Sequence, residues 1–194
     1  MKLLPLVCFV LFGTALHLSA AQAVVVSIAD QKLALVEDGE PVAQFPISTS
    51  RFGVGDRPGS YATPLGLLEV ASKIGANLPL GAVFKGRTPT GEILRPNARG
   101  RDPIVTRILW LRGLEKRNAL AYERGIYIHG TPVERLIGRP ASYGCIRMRS
   151  RDVANLFSQV NVGTRIAIVK CNLREAIARA NSGSLAAALT FAAN

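Results

Sequence analysis

The sequence predicts a mainly β domain with short helices, folded as a single unit. Three observations carry that expectation. From Val24 onward the apolar residues come in brief β-branched or alternating runs, glycine and proline clusters separate those runs, and apolar residues at helical spacing are confined to the C-terminal part. A length of 194 residues fits one domain with a real core. With 48% hydrophobic and 19% charged residues and no heptad or collagen period, the chain is excluded from the disordered and fibrous classes.

The elements follow in order. Residues 1–23 are set apart: Lys2 opens a basic start, Leu3 to Phe12 is an apolar run, Gly13 breaks it, and Ala21-Gln22-Ala23 has the small-x-small pattern of a signal-peptidase site. That run is shorter than the roughly 20 residues a membrane span needs, so an export signal is expected, with no permanent anchor once it is cleaved. An uncleaved anchor is the competing reading. Val24 to Ile28, Leu33 to Val36 and Val42 to Ile47 read as a β-meander, separated by Asp30-Gln31 and Asp38-Gly39. Arg51 to Gly66 and Lys85 to Pro103 read as long loops, with Leu67 to Ala71 and Ile104 to Leu111 as strands. Ile126 to His129 is another short strand. Ser150 is positioned to cap a helix whose Val153, Leu156, Phe157 and Val160 share one face. Thr164 to Lys170 is a closing strand, Asn172 to Ala180 a short helix, and the alanine-rich end a tail. The domain is therefore expected over residues 24–170, with a C-terminal helix and tail over 171–194.

Removal of the first 23 residues would leave one histidine, His129, and two cysteines, Cys145 and Cys171. No ligand spacing for zinc exists among them, so no metal and no cofactor is expected. A cysteine nucleophile acts as its thiolate, which a nearby imidazole or cation favours. His129 ends a strand sixteen residues before Cys145, which makes a Cys/His pair geometrically reasonable. Ser142 and Gly144 keep the approach to the sulfur uncrowded, so the backbone N–H groups of Tyr143, Gly144 and Cys145 are the candidate oxyanion hole. If the segment is extended, Arg147 points to the same side as Cys145 and would clamp a substrate carboxylate. A structural disulfide between Cys145 and Cys171 is the plainer alternative for an exported protein. Trp110 and Tyr127 read as core aromatics rather than substrate contacts. The net charge of +11 is concentrated: residues 85–124 hold ten Lys+Arg against four acids. Such a surface would attract an anionic polymer or be merely solvated. Nucleic acid is not expected as a partner, because no aromatic and basic residues interleave as a stacking platform.

The segment Ser142-Tyr143-Gly144-Cys145-Ile146-Arg147, with His129-Gly130-Thr131 before it, resembles the signature of the L,D-transpeptidase catalytic domain, the YkuD family. The resemblance extends through Thr63-Pro64-Leu65-Gly66, Ile108 to Leu111 and Arg124 to Thr131, so it covers about Val24 to Val169. It implies a β-sandwich-like fold and an enzyme of the periplasm or cell wall acting on peptidoglycan stem peptides. Cys145 would attack the amide before the terminal D-alanine of a tetrapeptide stem, D-alanine would leave, and an amine would resolve the thioester. Water as acceptor would make it an L,D-carboxypeptidase, and loss of catalysis would leave a wall-binding protein. His129 would be the base, and Ser142 and Arg147 the substrate contacts. Many relatives carry a second histidine where this chain has Tyr143, so no second catalytic imidazole is expected, and a backbone carbonyl is the expected orienting partner of His129.

Overall fold

Alternation along short strands decides which side chains meet the core and which meet the site. The computed structural model describes residues 22–182. Most of the expected export segment, and residues 183–194 of the expected tail, lie outside the described residues.

The opening meander is β1 (Gln22–Ser27), β2 (Lys32–Glu37) and β3 (Glu40–Pro46). It is followed by β4 (Gly66–Ile74), β5 (Ala82–Lys85), β6 (Thr88–Ile93), β7 (Ile104–Gly113), β8 (Tyr127–Gly130) and β9 (Ile146–Met148). Helix α1 (Ser150–Gln159), strand β10 (Arg165–Val169) and helix α2 (Leu173–Ser182) complete the described chain. The strands form one mixed sheet in the order β3-β2-β1-β10-β4-β7-β5-β6, with β8 and β9 branching from β7. Among the described strands, β1 with β10 and β8 with β9 run parallel and the other pairs antiparallel.

The sheet curls around one main core. Val24, Val26, Leu33 and Leu35 from the meander meet Leu109, Leu111, Ile128, Ile146 and Met148 from β7 to β9, and Val153, Leu156 and Phe157 of α1 close it. Each large aliphatic side chain fully buried there contributes roughly 1.5–3 kcal/mol relative to exposure. The alternate residues Val25, Ala34, Ala167 and Val169 face the other way and pack under Leu173, Ala176 and Ile177 of α2. This two-sided use of β1, β2 and β10 explains their nearly unbroken apolar runs.

Two expectations are corrected. Residues 85–103 are not one long loop: β5 and β6 form a hairpin through Gly86 and Arg87, whose φ values of 55° and 70° give the two-residue turn that matches strand twist. Strand β6 is largely exposed and contains Pro89, as an edge strand permits, so it carries no apolar alternation. Nor does Ser150 cap α1 with its side chain. Ser150 is the first helical residue; its N–H donates to Glu134 Oε1 at 2.9 Å, and its hydroxyl accepts from Thr106 Oγ1 at 2.8 Å. A carboxylate from outside the helix supplies the cap and complements the helix dipole.

Candidate active site

Strand register builds the site. Strand β7 pairs Trp110 with Tyr127 and Ile108 with His129 on β8. Strand β8 pairs His129 with Arg147 on β9, and one step back along the same parallel register sets Cys145 beside Tyr127. Paired residues share a face, so Trp110, Tyr127 and Cys145 form one row, with Ile108, His129 and Arg147 the next. Their neighbours Leu109, Ile128 and Ile146 are buried in the core on the opposite face. A one-residue slip would exchange the two sets.

The bulge in β7 tightens this arrangement. The register against β8 shifts between Val105 and Ile108, and the buried Thr106 there has φ of 73°, a strained backbone for a β-branched residue. A Cβ on Gly130 would stand 2.6 Å from the Val105 carbonyl oxygen and 3.1 Å from Thr106 Cβ. Only glycine fits beside His129 at this point.

His129 is 5% exposed, and its Nδ1 lies 2.8 Å from the Gly130 carbonyl oxygen. A carbonyl only accepts, so Nδ1 carries the proton and Nε2 the lone pair. This backbone group is the orienting partner expected from the sequence. Burial lowers the imidazole from 6.5 to about 4 and outweighs the Gly130 bond; Arg147 lowers it further and Asp102 opposes. Cys145 is half-buried and is a free thiol, as is Cys171. Its Sγ donates to the Gly125 carbonyl at 3.3 Å, while the Tyr127 backbone bonds the sulfur. Burial raises the thiol from 9.0 to about 11, against the Tyr127 bond and the charges of Arg147 and Arg124. The resting pair is therefore neutral thiol and neutral imidazole, and no hydrogen bond joins them.

The other expected residues divide. Among the described residues, the backbone N–H groups of Tyr143 and Cys145 carry no hydrogen bond, whereas that of Gly144 donates to Ser142 Oγ at 3.3 Å. Two of the three expected oxyanion donors are thus open. Ser142 is fully buried; its hydroxyl donates to the Cys145 carbonyl at 2.5 Å and fixes the turn beneath Cys145. It ties the loop, and no part of it reaches the surface. Arg147 shares the face of Cys145 as expected, but its Nη1 is held by Asp102 at 2.8 Å and the residue is only 9% exposed. Asp102 also accepts from Thr131 Oγ1 at 2.5 Å. The guanidinium is a partly occupied fork, and any substrate carboxylate would share it.

Several contributors left no mark that sequence reasoning could use. Asp102 arrives from a connection forty-five residues before Arg147 in the chain, and Gly125 and Tyr127 act through backbone atoms. Arg124 alone had a signal, its place in the run leading to His129. It forms a buried ion pair with Asp56 at 2.7 Å and donates to the Ala62 carbonyl at 2.7 Å, tying the 51–62 loop to the approach of β8. Trp110 and Tyr127 stay in structural roles. Trp110 stacks on Tyr122 at 4.0 Å, Arg87 lies over its ring at 4.3 Å, and Tyr127 is buried. Among the described residues no three His, Cys, Asp or Glu side chains gather as a metal site.

A fold of this topology, with a histidine on β8 and a cysteine directly before the parallel strand β9, defines a class, and comparison with known proteins agrees. Residues 21–168 match the L,D-transpeptidase catalytic domain, YkuD, and the chain belongs to that family. Similar proteins include the probable L,D-transpeptidase YcfS of Escherichia coli K12, 31% identical over 158 residues, which are 79% of this chain and 45% of YcfS. The putative L,D-transpeptidase YkuD of Bacillus licheniformis is 42% identical over 79 residues, 40% of this chain and 48% of that protein. The chain thus spans less than half of the length of either relative. The L,D-transpeptidase of Xylanimonas cellulosilytica superimposes with a TM-score of 0.51 at 21% identity, over 77% of this chain and 61% of that one. At that identity the likeness is one of fold.

Proposed function

We propose that the chain is a peptidoglycan L,D-transpeptidase with Cys145 as nucleophile and His129 as base. The observation that carries this reading is the tautomer of His129: the Gly130 carbonyl holds the proton on Nδ1 and leaves Nε2 as a proton acceptor on the face that displays Cys145. Rotation of the thiol away from Gly125 turns its proton toward Nε2 as substrate arrives. The sulfur then attacks the carbonyl preceding the terminal D-alanine, its proton passing to the imidazole. The oxyanion is received by the open N–H groups of Tyr143 and Cys145. The C–N bond breaks, the imidazolium returns the proton to the departing amine, and a thioester remains. An acceptor amine attacks the thioester and gives up a proton through His129. The new amide leaves, and the thiol is restored. Water in place of the amine gives the carboxypeptidase outcome from the same first half.

In this reading residues 24–170 are the catalytic domain, residues 1–23 direct export, and the enzyme works in the periplasm or wall. Family membership and the site's donor set support it. The test is intact-mass spectrometry of the protein mixed with a tetrapeptide stem. Wild type should gain the mass of the acylating tripeptide and release D-alanine, and Cys145→Ala should gain nothing. An adduct on the alanine variant removes the nucleophile assignment. Digestion of treated wall sacculi then shows whether cross-linked or trimmed stems accumulate.

A further inference from the structure

Three aromatic side chains stand exposed beside the nucleophile, where the reaction gives them no task. Phe52, Tyr61 and Tyr143 are 48%, 56% and 52% exposed, and their ring centroids lie 5.4–5.8 Å apart in tilted and edge-on contacts. Arg51 lies over two of them, 4.4 Å from the Tyr143 centroid and 5.0 Å from that of Phe52, and donates to the Tyr143 hydroxyl. Half of each ring is thus held in water, and a contiguous exposed apolar group beside a site is a common mark of a binding surface.

The backbone beneath is rigid and strained. Tyr61 has φ of 54°, an unfavourable conformation for a bulky aromatic residue. The strain is held by buried polar groups: Ser50 Oγ donates to the Tyr61 carbonyl at 2.5 Å, Ser50 N–H to Thr63 Oγ1 at 3.0 Å, and Thr63 Oγ1 to the Gly144 carbonyl at 3.0 Å. The last bond couples the aromatic cluster to the residue next to Cys145.

We propose that Arg51, Phe52, Tyr61 and Tyr143 form a saccharide-binding platform that seats the glycan end of the donor stem. This rests on the reading of Cys145 as the residue acylated by that stem. Pyranose rings present flat C–H faces that pack on aromatic rings, while their hydroxyl and amide oxygens match the phenol groups and the Arg51 guanidinium. The reach agrees. Three extended stem residues span about 10 Å between the scissile bond and the sugar. Tyr143 lies two residues from Cys145, at most about 7 Å between Cα atoms, and the other two rings lie one ring spacing further. A free stem peptide would leave the platform bare.

Calorimetry with Cys145→Ala tests this, using the tetrapeptide stem and the same stem bearing its disaccharide. The sugar-bearing ligand should bind about tenfold more tightly, and adding Phe52→Ala with Tyr61→Asn should bring the ratio of the two affinities to within about twofold of one. Equal affinities before those substitutions, a ratio that survives them, or no binding of either ligand overturns the platform. Should the combined variant not fold, saturation transfer in Cys145→Ala decides: irradiating aromatic protons should attenuate the sugar ring protons, and no attenuation overturns the proposal. The mass assay on wild type is independent. A chain that binds the sugar but never acylates keeps the platform and loses the enzyme reading.

Discussion

The sulfur of Cys145 and the imidazole of His129 are both held neutral by burial, and this sets how the protein should answer to pH. The thiol ionises above its ordinary range, so alkylation of the resting protein by iodoacetamide should be slow at neutral pH and climb between pH 9 and 11. A fast reaction at pH 7 would show a thiolate already formed. Stability follows from the same shifts. His129 binds its proton less well folded than unfolded, so its contribution is present above pH 6.5 and is lost as pH falls toward 4. Cys145 holds its proton more tightly folded, so its contribution is lost as pH rises from 9 toward 11. Denaturation midpoints should therefore be flat, as far as these two groups are concerned, between about pH 6.5 and 9. Asp102→Asn leaves the buried Arg147 without its counter-charge and should cost about 1–3 kcal/mol in urea denaturation. That Arg147 faces the same side as Cys145, with His129 on the neighbouring strand, was legible in the sequence, because a short motif and a strand period of two determine it. The burial of Ser142 in its turn was not legible, because composition cannot tell a serine that faces solvent from one that ties a turn. Asp102 was invisible because its partner is remote in the chain.

Helix and strand ends show a similar division. The period of Val153, Leu156 and Phe157 announced α1, but its cap comes from Glu134, sixteen residues before Ser150, and local sequence has no access to that contact. Glu134→Gln keeps an acceptor but loses the charge at the helix start, so it should lower stability by about 0.3–1 kcal/mol, with most of the loss disappearing in high salt. The β5–β6 hairpin escaped notice since its outer strand is polar and exposed, and only Gly86-Arg87 marks its turn. The bulge of β7 is the element on which the site leans most. Gly130→Ala should press a methyl group against the Val105 carbonyl and cost about 1–3 kcal/mol, while displacing the carbonyl that orients His129. Acylation should then slow more than stability alone accounts for, measured at a temperature where the variant is fully folded.

Across the molecule, part of the charge concentrated over residues 85–124 is neutralised by pairing. Arg101, Arg112, Arg117 and Arg124 meet Glu92, Glu69, Glu115 and Asp56, and Arg87 lies on Trp110. Sequence gives the sum of charges, but their partners are set by the fold. The mainly β class and most strands were readable from local pattern. The pairing of β1 with β10 was not, since nothing in either segment names the other. That pairing joins Ala23 through Ser27 to Arg165 through Val169, and β10 in turn carries β4. The centre of the sheet thus waits for β10, the last of the described strands, to be made. A chain ending at residue 163 would contain the whole segment from His129 to Arg147 yet leave β1 and β4 without their shared neighbour, and it should lack cooperative unfolding by calorimetry. During synthesis such a polypeptide stays open until its far end emerges, and its folding should be correspondingly slow, governed by the search for a partner some 140 positions away.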